Sequence, residues 1–358
     1  KVSIKKIAIS NFRCFDNLNL DFSELNNFIH GANGSGKTSI LEALYFCSTG
    51  RSFKSSNKNL CIQNNKDAFK IQLETVNNNM IRILKESKRS ITYEIDENKA
   101  TSIDLFRALP STLLDNKTFS MFADTPKYRR KILDRCLMAS DKNYSKDFFA
   151  FHRSLKQRNA ALKFKRLTNI DMWSEIFIST GGSISEKRND FFEQTKKKFF
   201  TFADDLNDKR LLEIINSLEI VFDKGWPKDL SLKEVLDSNK DIDQRKTTTS
   251  LGPHRADIKF LTKGSDIKYI LSRGEQKFMS ILWCFSMHKT LSDFYSVKPF
   301  LIIDDIHSEL DEDFYVELIN FLPKTGNQLF FSDINDPFNS KIKDQLKELK
   351  KFHVEQIT

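Results

Sequence analysis

The sequence contains little cysteine, no long apolar run and no cluster of histidines. Its five cysteines among 358 residues, at positions 14, 47, 61, 136 and 284, are scattered and lack C-x-x-C spacing. This pattern indicates reduced thiols rather than a disulfide framework or a zinc site. No apolar run approaches the ~18 residues that a membrane-spanning helix needs, so we expect a cytoplasmic protein with no membrane partner. The six histidines are equally scattered, which disfavours a metal-dependent nuclease centre.

One short segment indicates a nucleotide-binding protein. The eight residues from Gly31 to Thr38 fit the pattern G-x-x-x-x-G-K-[ST], in which backbone N–H groups surround phosphates. An apolar strand precedes the segment and a helical pattern follows it, so the helix N-terminus adds its partial positive charge to the anion site. A chance glycine-rich loop would lack these flanks. The predicted nucleotide-binding residues are Gly31, Ala32, Asn33, Gly34, Ser35, Gly36, Lys37, Thr38 and Ser39.

Two later segments favour nucleotide hydrolysis. The apolar run Phe300–Ile303 ends in Asp304 and Asp305, a pattern typical of a buried parallel strand that carries carboxylates at its ligand-binding end. Thr38 and Asp304 are predicted to hold Mg²⁺, and Asp305 to polarise an attacking water. Taken alone, the two aspartates would fit a solvated acidic turn better. Ser272 precedes a strongly apolar helix and forms a predicted capping box with Glu275, leaving N–H groups that could meet a phosphate.

Positive charge is concentrated in one part of the chain. The formal net charge is +9, and residues 120–210 contain 20 Lys and Arg against 12 Asp and Glu, which accounts for +8 of it. An amphipathic helix in this region has a basic face. A solvated helical face is the simpler explanation for any single lysine, but the concentration of charge favours a phosphate-binding surface. The candidate DNA-binding residues are Arg153, Lys156, Lys163, Lys165 and Arg166; His152 and Arg158 lie on the same face.

The order of the patterns predicts a discontinuous domain. Residues 1–115 and 246–358 alternate strands and helices and contain the motifs, whereas residues 116–245 are mainly helical and basic. Breaks in the helical part are expected at Gly181-Gly182 and at 224–227, and strands at 257–261 and 267–270. The fold class expected is α/β, an ATPase head with an inserted helical arm domain.

Together these motifs resemble those of ABC-type ATPase heads. The residues Leu271-Ser-Arg-Gly-Glu-Gln are similar to the L-S-x-G signature, and Ser308-Glu-Leu-Asp311 resembles the D-loop of that class. The resemblance implies that Ser272 acts in trans on the γ-phosphate held by a second subunit, so that ATP induces a homodimer. The start of the chain, around Arg13, resembles the first hairpin of the SMC-like branch, which implies a phosphate contact for Arg13.

Within that branch the chain resembles the RecF family of bacterial DNA replication and repair proteins along nearly its whole length. The segments that carry the resemblance are Thr49–Lys54, Thr125–Asp134 and Gly252–Asp257, the last of which matches G-P-H-R-x-D. Asp124 and Ile132 depart from the family pattern, as does the segment 113–117. Ser332-Asp333 stands where a switch histidine is usual.

The resemblance implies an ATP-dependent DNA-binding clamp with weak ATPase activity. Two subunits would close on ATP and grip double-stranded DNA near single-strand gaps or junctions, and hydrolysis would serve release. RecO and RecR are the implied partners, and recombinase loading the implied outcome. Two alternatives share the three motifs: the ATPase subunit of an ABC transporter and that of a nuclease complex. The basic inserted domain and the scattered histidines disfavour them.

Overall fold

The chain forms two compact units. A computed structural model describes residues 3–119, 121–122, 125–165, 170–305, 310–334 and 346–357. The first unit, here the head unit, comprises Lys1–Ser120 and Ser272–Thr358, and the second, the arm unit, comprises Met121–Leu271. Within those described ranges, no helix combines the length and the apolar character needed to cross a membrane.

The elements are numbered in chain order. The strands are β1 (Ile4–Phe12), β2 (Phe15–Asp21), β3 (Asn26–His30), β4 (Ala68–Thr75), β5 (Met80–Glu86), β6 (Thr92–Ile95), β7 (Asn98–Lys99), β8 (Ser111–Leu114), β9 (Leu218–Asp223), β10 (Asp257–Thr262), β11 (Ser265–Asp266), β12 (Phe300–Asp304), β13 (Leu329–Asp333) and β14 (Leu349–His353). The helices are α1 (Lys37–Thr49), α2 (Ser102–Ala108), α3 (Asn116–Phe119), α4 (Pro126–Ser140), α5 (Lys142–Lys163), α6 (Ile170–Ala203), α7 (Lys209–Asn216), α8 (Leu232–Ser238), α9 (Lys240–Lys246), α10 (Arg273–Phe294), α11 (Glu312–Thr325) and α12 (Val354–Ile357).

The head unit contains two sheets around one apolar core. The antiparallel sheet has the order β2-β1-β4-β5-β6-β7, and its strands alternate between buried apolar and exposed polar residues. The parallel sheet has the order β14-β3-β13-β12-β8, and every residue of β12 and β13 is buried. Strand β13 therefore lies between β3, which leads into the phosphate loop, and β12, which ends in Asp304. The carboxyl ends of all three strands meet at one edge, where open α/β sheets bind ligands.

The arm unit is built on two long helices. Helices α5 and α6 pack along each other, with the rings of Phe151 and Phe177 5.0 Å apart. The expected helix break at Gly181-Gly182 was wrong, because α6 runs through both glycines. A Cβ on Gly181 would lie 3.0 Å from Leu232 and 3.2 Å from Pro253. Close packing, rather than a turn, explains this glycine.

The boundary of the arm unit differs from the sequence expectation. Residues 246–271 were expected in the head domain, but they lie in the arm unit, which extends to Leu271. The reason is strand pairing: β10 pairs antiparallel with β9, a strand that the helical reading of residues 116–245 overlooked, and β11 adds to the other edge. The segment Ile267–Tyr269 is a short 3-10 turn rather than the expected strand.

Candidate nucleotide-binding site

The predicted phosphate loop connects β3 to α1. Loop residues 31–36 follow His30, and α1 begins at Lys37, so Lys37, Thr38 and Ser39 form the first helical turn. Gly36 occupies the N-cap position and contributes no side-chain cap. The Ser39 N–H donates to the Gly36 carbonyl at 2.9 Å, which leaves the N–H groups of Lys37 and Thr38 as the candidates for an anion contact at this helix N-terminus. Ala32, Asn33 and Gly34 are exposed at the loop surface.

Two side chains of the loop are arranged for an anion. Lys37 is buried, and its Nζ donates to the carbonyl oxygens of Gly31 at 2.7 Å and Ala32 at 2.9 Å. The ammonium charge is thus held inside the loop. The hydroxyl oxygen of Ser35 is buried but has no hydrogen-bond partner among the residues that the structure describes. A bound phosphate would give this oxygen a partner.

Thr38 and Asp304 meet across the sheet edge. The Thr38 hydroxyl donates to Asp304 Oδ1 at 3.0 Å, which joins the first turn of α1 to the end of β12. Both groups present oxygen, the ligand type that Mg²⁺ prefers. Burial raises the pKa of Asp304, while hydrogen bonds from Ser332 and Thr38 and the charge of Lys54 oppose that rise. A buried carboxylate beside a hydroxyl fits a divalent cation held with a nucleotide.

Ser332 connects the two aspartates at this edge. Its hydroxyl donates to Asp304 Oδ1 at 2.9 Å and accepts from the backbone N–H of Asp305 at 3.2 Å. Ser332 is fully buried at the end of β13. The sequence showed only that no histidine occupies this position. The location of Ser332 at the end of an apolar strand was the signal that could have assigned it to the site.

The backbone of Asp305 is unusual. Its φ of 50° lies in the left-handed region, which few non-glycine residues other than Asn and Asp adopt. The residue is half-buried directly after β12, beside the Thr38–Asp304 contact. A role in polarising water is compatible with this location.

Glu355 also contacts the phosphate loop, and no sequence pattern indicated it. Its Oε1 accepts from the backbone N–H of Ala32 at 2.6 Å, and its carboxylate lies against Gly31. That hydrogen bond, with support from the charges of His353 and Lys37, lowers the pKa of Glu355. Glu355 belongs to α12, which follows β14, the strand next to β3. The last strand and helix of the described chain thus hold the start of the loop.

Ser272 caps α10 as predicted. Its hydroxyl accepts from the N–H of Glu275 at 3.3 Å, and the Glu275 carboxylate accepts from the N–H of Ser272 at 2.6 Å, which is the predicted capping box. Ser272 itself is exposed. Near this helix start, Gly274 approaches Asp311, which caps α11. Of the expected D-loop, Ser308 and Glu309 lie outside the described residues.

Arg13 joins the first hairpin to helix α1. Its guanidinium forms two hydrogen bonds, of 2.8 and 2.6 Å, with the buried carboxylate of Glu42 on α1 and a third with the Leu60 carbonyl. A bidentate pair of this kind fixes the guanidinium against the helix. The phosphate contact that the resemblance implies for Arg13 stays a prediction.

The predicted DNA-binding residues lie on the arm unit. Arg153, Lys156 and Lys163 are exposed on α5, and Lys165 follows the helix. Arg166 lies outside the described residues. Arg158 does not belong to the exposed face, because it is buried in an ion pair of 2.9 Å with Asp243.

Comparisons with known proteins give a consistent result. Residues 3–356 match the model of the RecF/RecN/SMC N terminal domain. The chain is 31% identical over 363 residues to the DNA replication and repair protein RecF of Pseudoalteromonas translucida (strain TAC 125), covering 99% of this chain and 98% of the relative. It is 32% identical over 359 residues to RecF of Vibrio campbellii (strain ATCC BAA-1116), covering 98% of each.

Solved structures are similar as well. The structure of the recombination mediator protein RecF with ATP, described as part of the RecFOR pathway, superposes with a TM-score of 0.81 at 25% identity, covering 99% of this chain and 96% of that one. The Smc head domain of Pyrococcus furiosus superposes with a TM-score of 0.58 at 14% identity, covering 98% and 93%. The Smc likeness concerns the fold alone.

Proposed function

Because the chain belongs to the RecF branch of the RecF/RecN/SMC family, we propose that it is an ATP-dependent DNA-binding clamp of DNA replication and repair. The observation that carries the proposal is the 3.0 Å contact between the Thr38 hydroxyl and Asp304 Oδ1. It brings the phosphate loop and the acidic strand end together, as ATP hydrolysis requires. A similar protein has been solved with ATP bound, which supports ATP as the nucleotide.

The head unit supplies the groups that nucleotide binding needs. Lys37 and the N–H groups at the start of α1 would contact the phosphates, and Lys37 would exchange its two loop carbonyls for them. Thr38 and Asp304 would hold Mg²⁺, which neutralises phosphate charge when bound. Asp305 would orient a water for attack on the γ-phosphate. Binding rather than chemistry is the output proposed, with slow hydrolysis serving release.

Closure would require a second copy of the chain. Ser272 is exposed and is the N-cap of α10, so the partial positive charge of this helix N-terminus lies beside an exposed residue. We assign this helix start to the γ-phosphate held by the partner subunit, so that two ATP molecules lie between two heads. ATP-dependent dimerisation follows directly from this arrangement.

The arm unit is proposed to contact DNA. It contains 30 Lys and Arg against 22 Asp and Glu, so it carries +8 of the net charge of +9. Arg153, Lys156, Lys163 and Lys165 are the exposed contacts proposed, with Arg166 by extension of the sequence pattern. DNA near single-strand gaps is the proposed target, and RecO and RecR are the proposed partners in recombinase loading. The solved relative's place in the RecFOR pathway supports these partners.

One experiment tests the proposal as a whole. Light scattering and retention of gapped DNA are measured on the purified chain with and without ATP and Mg²⁺, with Lys37→Ala as the control. We expect ATP to produce a dimer that retains DNA. Lys37→Ala should stay monomeric because it lacks the ammonium charge that faces the phosphates. If ATP changes neither the oligomeric state nor the DNA retention of the parent chain, the proposal is contradicted.

A further inference from the structure

The segment Gly252–Asp257 has two parts with different roles. Most of it is satisfied inside the arm unit: the Pro253 carbonyl accepts from Arg188 at 2.7 Å, His254 Nε2 contacts the Thr249 carbonyl at 3.0 Å, and Asp257 forms a bidentate pair with Arg129. These contacts give most of the segment a structural role. They leave the side chain of Arg255 unexplained.

The side chain of Arg255 is exposed. Among the residues that the structure describes, no carboxylate or carbonyl accepts from its guanidinium. The neighbouring charge is of the same sign, because Arg255 acts on Arg130 by repulsion. A guanidinium that lies near another cation and donates to no carboxylate of the described residues is available to an external anion.

Arg255 lines an open groove in the arm unit, which we call the Arg255 groove. It has a volume of about 510 Å³ and is lined by Val221, Asp223, Lys224, Gly225, Trp226, Pro227, Lys228, Leu251, Arg255 and Lys259. Four of these residues are cationic and one is anionic, so the net charge is +3. Lys259 is paired with Asp223 at 2.7 Å, whereas Lys228 is exposed. Arg255 and Lys228 are therefore its most available cations.

Hydrogen bonds within the arm unit hold the loop that lines the groove. The N–H of Gly252 donates to the Gly225 carbonyl at 3.1 Å, and a Cβ on Gly225, whose φ is 92°, would collide with that neighbouring backbone. Lys224 donates to the carbonyls of Lys228 and Leu230, both at 3.1 Å, and stacks on Trp226. Because these contacts fix the loop before any ligand arrives, little ordering entropy is lost on binding.

We propose that the Arg255 groove binds the phosphate backbone of a nucleic-acid strand, with Arg255 as the bidentate contact and Lys228 as a second. The groove is open and its lining has a net charge of +3, which suits contact with a phosphate backbone. This inference rests on the proposed DNA binding and adds a surface separate from the α5 face.

The test measures how binding of a labelled DNA duplex depends on salt, using the full chain with ATP. Each phosphate contact contributes about 0.9 to the slope of log K against log salt. The double variant Arg255→Ala with Lys228→Ala should reduce the magnitude of that slope by about 1.8, and it should weaken binding to DNA of any sequence. The charge-matched control is Lys88→Ala with Lys99→Ala, two exposed lysines of the head unit that line no part of the groove, and it should keep the parental slope.

A conservative variant distinguishes the loss of a DNA contact from misfolding of the chain. Arg255→Lys retains the charge but not the planar fork, so it should keep the slope and bind DNA more weakly than the parent. Equal slopes for the groove variant and its control would overturn the inference. If the groove variant instead loses binding to polyglutamate while binding DNA normally, the groove serves an acidic protein and the nucleic-acid assignment is wrong. Failure of the parent chain itself to bind DNA would refute the proposed function, and this inference with it.

Discussion

Replacing Ser332 with alanine tests how the two aspartates of the site are held. The change removes a hydroxyl that is fully buried and bonds to Asp304 Oδ1 at 2.9 Å and to the Asp305 N–H at 3.2 Å. Loss of a hydrogen bond to a buried group costs about 1–3 kcal/mol. If this free energy is lost from stabilisation of the transition state, because the carboxylates are no longer held in position, the rate of ATP hydrolysis falls by about 5- to 150-fold.

The assay compares Ser332→Ala with a matched variant. Ser286 is equally buried, but its hydroxyl donates to the Leu282 carbonyl of its own helix at 2.7 Å. Ser286→Ala makes the same change in volume outside the site. Steady-state ATP hydrolysis should fall in Ser332→Ala and remain parental in Ser286→Ala, while ATP binding persists in both. Parental hydrolysis by Ser332→Ala would refute the view that Ser332 positions the aspartates.

Three further predictions follow from the site and the arm unit. Asp305→Asn should bind ATP but hydrolyse it far more slowly, because Asn tolerates the φ of 50° but is no base; parental turnover would exclude Asp305 as that group. Glu355→Ala should weaken ATP binding severalfold and Glu355→Gln less, because only Ala loses the acceptor for the Ala32 N–H; equal, parental affinities in nucleotide titrations would contradict this. Burial lowers the pKa of His254 to about 4, so the unfolded chain, with a His pKa of about 6.5, binds more protons between these values. The contribution of His254 to the free energy of unfolding should therefore be full above about pH 6.5 and fall towards pH 4 by up to about 1.4 kcal/mol per pH unit. In denaturant unfolding at several pH values, His254→Asn should reduce this dependence. An unchanged dependence would show that His254 is not its source.

Local patterns predicted the features that depend on neighbouring residues. The phosphate loop is defined by eight consecutive residues, and the capping box of Ser272 by four, so both could be identified without tertiary information. The α/β head fold and the membership in the RecF family are confirmed by the comparisons. The apolar strand before Asp304 is fully buried, as its composition predicted.

Features that depend on distant residues could not be read from the sequence. Glu355 and Ala32 are 323 residues apart, and Ser332 and Asp304 are 28 apart on different strands. Strand β9 is six residues long within a helical region, and it forms because β10 pairs with it. The glycine pair in α6 predicted a break by conformational preference, but packing of Gly181 against Leu232 favours a continuous helix.

The central claim, that each ATP site is shared between two subunits, is tested most directly by mixing two inactive variants. Lys37→Ala lacks the phosphate contact but retains Ser272, whereas Ser272→Arg retains the phosphate loop but blocks closure. A mixed dimer has one site with an intact loop from one chain and an intact Ser272 from the other. We predict that each variant alone shows almost no ATP hydrolysis and that the mixture recovers a substantial fraction of the parental rate. A mixture no more active than its separate components would contradict a shared site.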